Sequence, residues 1–142
     1  MDFCQFRQVA ELVRSRHPAW FELDHDPPCS QADLERAETR LGTRLPAQYK
    51  EFMTSCGGGY FAFVNVFSAT EGSFWGIVER NAGLPPGFIA VSDNGTGDYY
   101  GFISTGGECA SEVCFLDHET GRVSATKYPD LFEYIVHMGL RL

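Results

Sequence analysis

Residues 30–59, SQADLERAETRLGTRLPAQYKEFMTSCGGG, constrain the fold more than any other stretch of the chain. They read as two short amphipathic helices joined by a glycine turn and stopped by three glycines. The Ser30 hydroxyl can accept from an orphan backbone N–H, and Asp33 stands in the acidic first turn that a helix dipole favours. Leu34, Ala37, Glu38 and Leu41 follow at helical spacing, with Gly42 where a left-handed C′ residue is expected. Leu45-Pro46 restarts the chain, with Pro46 expected at the first helical position, where its missing N–H costs nothing. Tyr49, Phe52 and Met53 form the buried stripe of the second helix. Gly57, Gly58 and Gly59 then end it, each costing about 1 kcal/mol in a helix interior.

Before this pair, residues 2–16 read as a helix, with Phe3, Phe6, Val9 or Ala10, and Val13 at three- and four-residue steps. His17-Pro18 closes it, because the residue before proline disfavours the helical region. Residues 19–29 are an expected exposed connection anchored by Trp20-Phe21. From Tyr60 onward the texture changes to short runs of Phe, Val, Ile and Tyr between turn residues. Residues 61–67 are expected as one strand with Phe61, Phe63, Asn65 and Phe67 on a single face, and residues 74–79 as another. Residues 88–92 and 99–104 flank the turn Asp93–Asp98, and residues 112–117 and 122–126 flank a hairpin connection ending in Gly121. A closing helix starts near Pro129-Asp130 and carries Leu131, Phe132, Ile135, Val136 and Leu140. No helix is expected between Tyr60 and Thr126. That order predicts a single α+β domain: N-terminal helices and a C-terminal helix packed on a central, mainly antiparallel sheet of five or six strands.

The helix-pair residues also carry a resemblance. Glu35, Glu38, Leu41-Gly42, Leu45-Pro46, Tyr49-Lys50 and Phe52, closing on Gly57-Gly58-Gly59, resemble the opening signature of the SUKH superfamily, the Smi/Knr-type domain. Phe88–Asp93 with Gly95, Gly97, Asp98, Tyr99 and Tyr100 resembles that family's central strand, glycine–acid turn and next strand. Val113–Asp117 before Gly121, and Tyr128–Leu140, resemble its later hairpin and closing helix. The resemblance runs from about Ser30 to the C-terminus. Residues 1–142 are therefore expected to be one such domain, with 1–29 a helix plus connection leading into the core motif. The resemblance implies a binding protein. Bacterial members are largely immunity proteins that neutralise a cognate toxin, and other members regulate or scaffold endogenous proteins.

Charge narrows the partner. The net charge is −8. Residues 1–50 hold eight acids and seven bases, whereas residues 51–142 hold eleven acids and four bases. The sheet half thus supplies nearly all the negative potential, which repels phosphate backbones and either suits a basic protein or serves solubility alone. Hydrophobic residues make up 44% of the chain, which argues for a packed core rather than disorder. No apolar run approaches the roughly 20 residues of a membrane span. The N-terminus lacks the apolar region of a signal peptide, so a cytoplasmic protein is expected.

Constellations for chemistry are weak. The five cysteines, Cys4, Cys29, Cys56, Cys109 and Cys114, lack zinc-knuckle spacing and are expected as reduced structural thiols. The turn Asp93–Asp98 lacks the alternating ligands of a calcium loop and the Lys of a phosphate loop. Residues 118–122 do not complete an HExxH motif, and the pairs Glu35/Glu38 and Glu22/Asp24/Asp26 belong to solvated faces. Cys56, beside three glycines, is the one conceivable nucleophile, but nothing in sequence orients a base toward it. No cofactor, metal or catalytic residue is expected. The aromatics matter more: Tyr60, Trp75 and one of Tyr99 or Tyr100 either pack with the rest against the N-terminal helices or stand at the surface, where Trp and Tyr are the residues of interface hot spots. Glu71, Trp75, Asp93, Asp98, Tyr99 and Tyr100 are the candidate partner contacts. Three functions are in play: immunity against a basic, nuclease-type toxin; an intracellular regulatory or scaffold domain; and an enzyme using Cys56.

Overall fold

The computed structural model describes residues 1–142. Helix α1 spans Phe3–Arg16 and is capped reciprocally by Asp2 and Gln5. The connection after it contains a 3₁₀ turn at Pro18–Phe21. Helix α2, Gln31–Leu41, starts at Ser30, whose hydroxyl accepts from the Asp33 N–H while the Asp33 carboxylate accepts from the Ser30 N–H. It ends at Gly42 with φ 72°, the left-handed turn expected there. Helix α3 spans Ala47–Ser55. Pro46 takes the cap position itself, with extended ψ 148°, rather than the first helical position.

Two strand expectations are corrected. Residues 61–67 are not one strand but the arms of a hairpin, β1 (Gly59–Phe61) and β2 (Val64–Val66), paired antiparallel. The chain reverses at Ala62, which holds φ 51° without being glycine. Phe61 therefore faces Val64, on the side opposite Asn65 and Phe67. Residues 74–79 are a turn followed by helix α4, Ile77–Arg80, so one short helix does interrupt the strand region. Asn81 then bonds the free edge of the next strand. The Ala90 N–H donates to its Oδ1 at 2.7 Å, and its Nδ2 donates to the Ala90 carbonyl at 2.9 Å.

The remaining strands are β3 (Phe88–Asp93), β4 (Tyr99–Thr105), β5 (Glu108–Cys109), β6 (Cys114–Leu116) and β7 (Val123–Ala125). They form one antiparallel seven-stranded sheet in the order β1-β2-β3-β4-β6-β7, with β5 pairing β4 outside that path. The α+β expectation is borne out, with one strand more than expected. Register slips by one residue between Ala90 and Ser92. Helix α5, Leu131–Tyr134, is capped by Asp130 and runs on as a π-helical turn over Ile135–Gly139.

Helices α1, α3 and α5 pack on one face of the sheet. Phe6 of α1 stacks on Phe132 of α5 with ring centres 4.6 Å apart, and also lies 5.9 Å from Phe61 and 6.1 Å from Phe52. The Tyr49 hydroxyl, fully buried, donates to the Phe67 carbonyl at 2.7 Å and ties α3 to the end of β2. The other face is covered only in part, by the segment that carries α4.

Candidate partner-binding face

Register decides which side chains share the less covered face. Tyr60 pairs with Asn65, Asp93 with Tyr99, Tyr99 with Leu116, and Leu116 with Val123. Since Val66 pairs with Ser92, Asn65 and Asp93 stand next to each other one step along. These residues make one row across the sheet. Tyr100 alternates to the opposite side, where its ring packs 4.9 Å from Tyr134 and 5.2 Å from Phe115.

Above the row lies a chain of rings. Tyr60 sits 6.3 Å from Trp75, and Trp75 sits 5.6 Å from Phe74. The Arg80 guanidinium is placed 5.4 Å from the Phe74 ring centre and 5.5 Å from that of Phe67, which meets Tyr99 at 6.2 Å. Phe74 is 79% exposed and Tyr60 is 42% exposed. So large an apolar exposure at Phe74, beside a half-buried Trp and a planar cation, has the composition of an interface anchor. The segment carrying these rings is fixed from below: the Ser73 hydroxyl donates to Asp26, and the Glu71 N–H donates to Asp33.

A match to a family model covers residues 31–135 and carries the description SUKH_6, SMI1-KNR4 cell-wall. The chain belongs to the SUKH superfamily. A comparison with curated proteins found no match. SUKH domains are commonly immunity proteins in toxin systems and are generally non-enzymatic. In this SUKH chain the matched segment contains the whole sheet and the aromatic face, while α1 lies before it.

The candidate residues fall into three places. Trp75 and Tyr99 lie in the ring chain, and Asp93 and Asp98 bound the loop beside it. Tyr100 is on the far face. Glu71 leans away toward α2, where its carboxylate lies 3.8 Å from Arg36. Sequence reading missed Arg80 and Asn65, which reach the face only through the α4 turn and the hairpin.

The Asp93–Asp98 loop satisfies itself. Asn94 Oδ1 accepts from the Thr96 N–H, the Thr96 hydroxyl and the Asp98 N–H. Asp98 in turn latches the β6–β7 connection: its Oδ1 accepts from the His118 N–H at 3.0 Å and from His118 Nδ1 at 2.6 Å. Asp98, Asp117 and His118 each bring a ligand atom within 4.8 Å of the others. Those atoms are already engaged, since Asp117 Oδ1 accepts the Glu119 and Thr120 N–H groups. The trio works as a loop latch.

The latch should be visible in stability against pH. The bonds from the His118 backbone N–H, then its ring, then Asn94, hold the Asp98 carboxyl down to about 2, and the Asp98 bond raises His118 above its ordinary value. The raised His118 contributes stability that is full below about pH 6.5 and lost as pH rises through the folded value. The lowered Asp98 contributes above about pH 4 and is lost as pH falls toward 2. The stability gap between wild type and His118→Ala is therefore expected to be widest between those limits and to narrow on either side. Thermal melts across the acidic and neutral range check this; a gap independent of pH would remove the latch.

Cys56 lies at the C-terminal end of α3, the negative end of the helix dipole, which disfavours a thiolate. Burial pushes its thiol up to about 11. His25 lines the same open groove between α1 and β1, but its Nδ1 contacts the Asp26 carbonyl at 2.9 Å. This is the opposite of an activated nucleophile. All five cysteines are free, and no helix is long and apolar enough to cross a membrane.

Proposed function

We propose that this SUKH protein is an immunity protein that neutralises a cognate, basic toxin by stoichiometric occlusion. The observation that carries the reading is the ring chain Tyr60–Trp75–Phe74–Arg80, exposed at Phe74 and bordered by Asp93 and Asp98. A basic active site meeting this face would be drawn in by the negative potential of the sheet half and held by the rings. Co-expression with a toxin encoded beside the gene tests it: rescue of growth and co-purification of a complex support the reading, and failure of both removes it for that pair. A second reading follows from the cell-wall description of the matched family. The same face would then bind an endogenous regulatory partner, and pull-down of resident cell-wall or signalling proteins without any toxin would favour it.

Kinetics separate the two parts of the face. Association should slow as the Debye length falls from about 30 Å at 0.01 M salt to about 8 Å at 0.15 M, while dissociation changes little. Charge reversal at Asp93 and Asp98 should lower the on-rate and flatten its salt slope. Phe74→Ala should act on the off-rate, costing about 2 kcal/mol, with the fold unchanged. Stopped-flow kinetics with the partner across salt measure both, and an on-rate indifferent to salt would reduce the charge to a solubility role.

A further inference from the structure

Beyond the Val66–Ser92 pair, registered pairing between β2 and β3 stops, and a cavity of about 340 Å³ opens there. Tyr60, Phe63, Asn65, Asp93, His137 and Arg141 are among its lining residues. Two acceptors in it lack donors. Asn65 is only 9% exposed, and its Oδ1 is buried with no hydrogen-bond partner. Asp93, half-buried beside it in the cross-strand row, has a carboxylate with no hydrogen bond or ion pair, unlike Asp98 at the other end of the loop. A buried acceptor without a donor is costly, so the fold keeps here a pair of oxygens that a donor-rich group would satisfy. The walls are aromatic, and one already carries a guanidinium: Arg141, with left-handed φ 62°, lies 4.4 Å from the Phe63 ring centre without reaching Asp93.

We propose that this cavity is the recognition pocket for an arginine side chain of the protein partner. The guanidinium would donate to Asp93 and, once the Asn65 amide turns its buried Oδ1 into the cavity, to Asn65, and would lie on the Phe63 ring beside Tyr60. Its planar fork of donors matches two acceptors better than an ammonium does. Arg141 is then the resident cation that such a side chain displaces. The inference rests on the partner-binding reading, and it can be tested without the partner.

The probe is N-acetyl-arginine amide, titrated by NMR against the uncharged N-acetyl-citrulline amide. The arginine compound should shift the Asn65 side-chain amide and the Gly95 backbone amide in a saturable way, binding at least about tenfold more tightly than citrulline, as a charge-assisted hydrogen bond requires. Asp93→Asn should abolish that difference. Asn65→Leu should weaken arginine binding without loss of stability, because it also removes the unpartnered oxygen. Arg141→Ala should strengthen binding by vacating Phe63 and removing a like charge. Absence of saturable shifts, equal binding of the two compounds, or indifference to Asp93→Asn overturns the pocket. Arginine binding in a protein that captures no partner keeps the pocket and retires the partner reading. A partner complex untouched by Asp93→Asn and Asn65→Leu does the reverse.

Discussion

Phe6→Ala is expected to destabilise the protein by about 3–5 kcal/mol, the range for emptying a buried aromatic site. Phe6 is 1% exposed, and its ring touches Phe3, Phe52, Phe61 and Phe132, so its loss opens a void between α1, α3, β1 and α5 at once. This effect matters because α1 lies outside the segment matched by the family model. If α1 were an appendage, truncation at Phe6 would cost less than about 1 kcal/mol, as surface changes do. We propose that residues 1–29 and the matched segment form one folding unit, since Phe6, Ala10 and Val13 belong to the same buried cluster as the sheet residues. Urea unfolding of Phe6→Ala, read by far-UV circular dichroism, should show a single transition moved to lower denaturant. A second transition, or an unmoved midpoint, would separate α1 from the domain.

Gly101→Val should be worse. Gly101 sits mid-strand in β4, between Ala90 of β3 and Cys114 of β6. A Cβ built there falls 2.0 Å from the Ile89 carbonyl oxygen and 2.8 Å from the Ala90 Cα. Both obstacles are backbone, so no rotamer change relieves them. Even Gly101→Ala requires β3 to move away from β4, and about 3 kcal/mol or more is expected, near the upper end of overpacking costs. The valine variant is expected to be insoluble. Gly42→Ala serves as the control, because no atom lies within 4 Å of its Cβ and only the φ of 72° opposes it, at a cost of about 1–2 kcal/mol. If Gly101→Ala proved milder than Gly42→Ala, the close approach of the two strands would be wrong.

The α2–α3 pair was legible because its signals are local. Ser30, Asp33 and Gly42 each act on backbone groups within a few residues, so the sequence neighbourhood contains the whole cause. The β1–β2 hairpin was not, because its reversal uses Ala62 at positive φ inside an unbroken apolar run, with no Gly, Asn or Asp to mark it. Residues 74–79 have strand-like composition, yet Ile77 is pulled into the core and the turn is pinned at both ends, through Ser73 to the distant Asp26 and through Asn81 to Ala90 of β3. The face itself was legible in part. Trp75, Tyr99, Asp93 and Asp98 were visible as residue types in a polar setting. The assembly of Asn65 and Arg80 beside them depends on hairpin register and on a four-residue helix, neither of which has a short-range signal.

The slip in register between Ala90 and Ser92 has an effect out of proportion to one residue. Along an unbroken β3, alternation from Ile89 would send Asp93 toward the helical layer, where a carboxylate would have no water. The extra residue reverses the phase of everything after it, so Ser92 turns inward to receive the Tyr134 hydroxyl and Asp93 turns out beside Asn65. Val91 thereby works as a half-period insert: it is buried in the core and has no registered partner on β4, yet it selects the side on which the next loop's charge is presented. A homologue lacking that residue would carry the same acids in the same order and display them to a different layer.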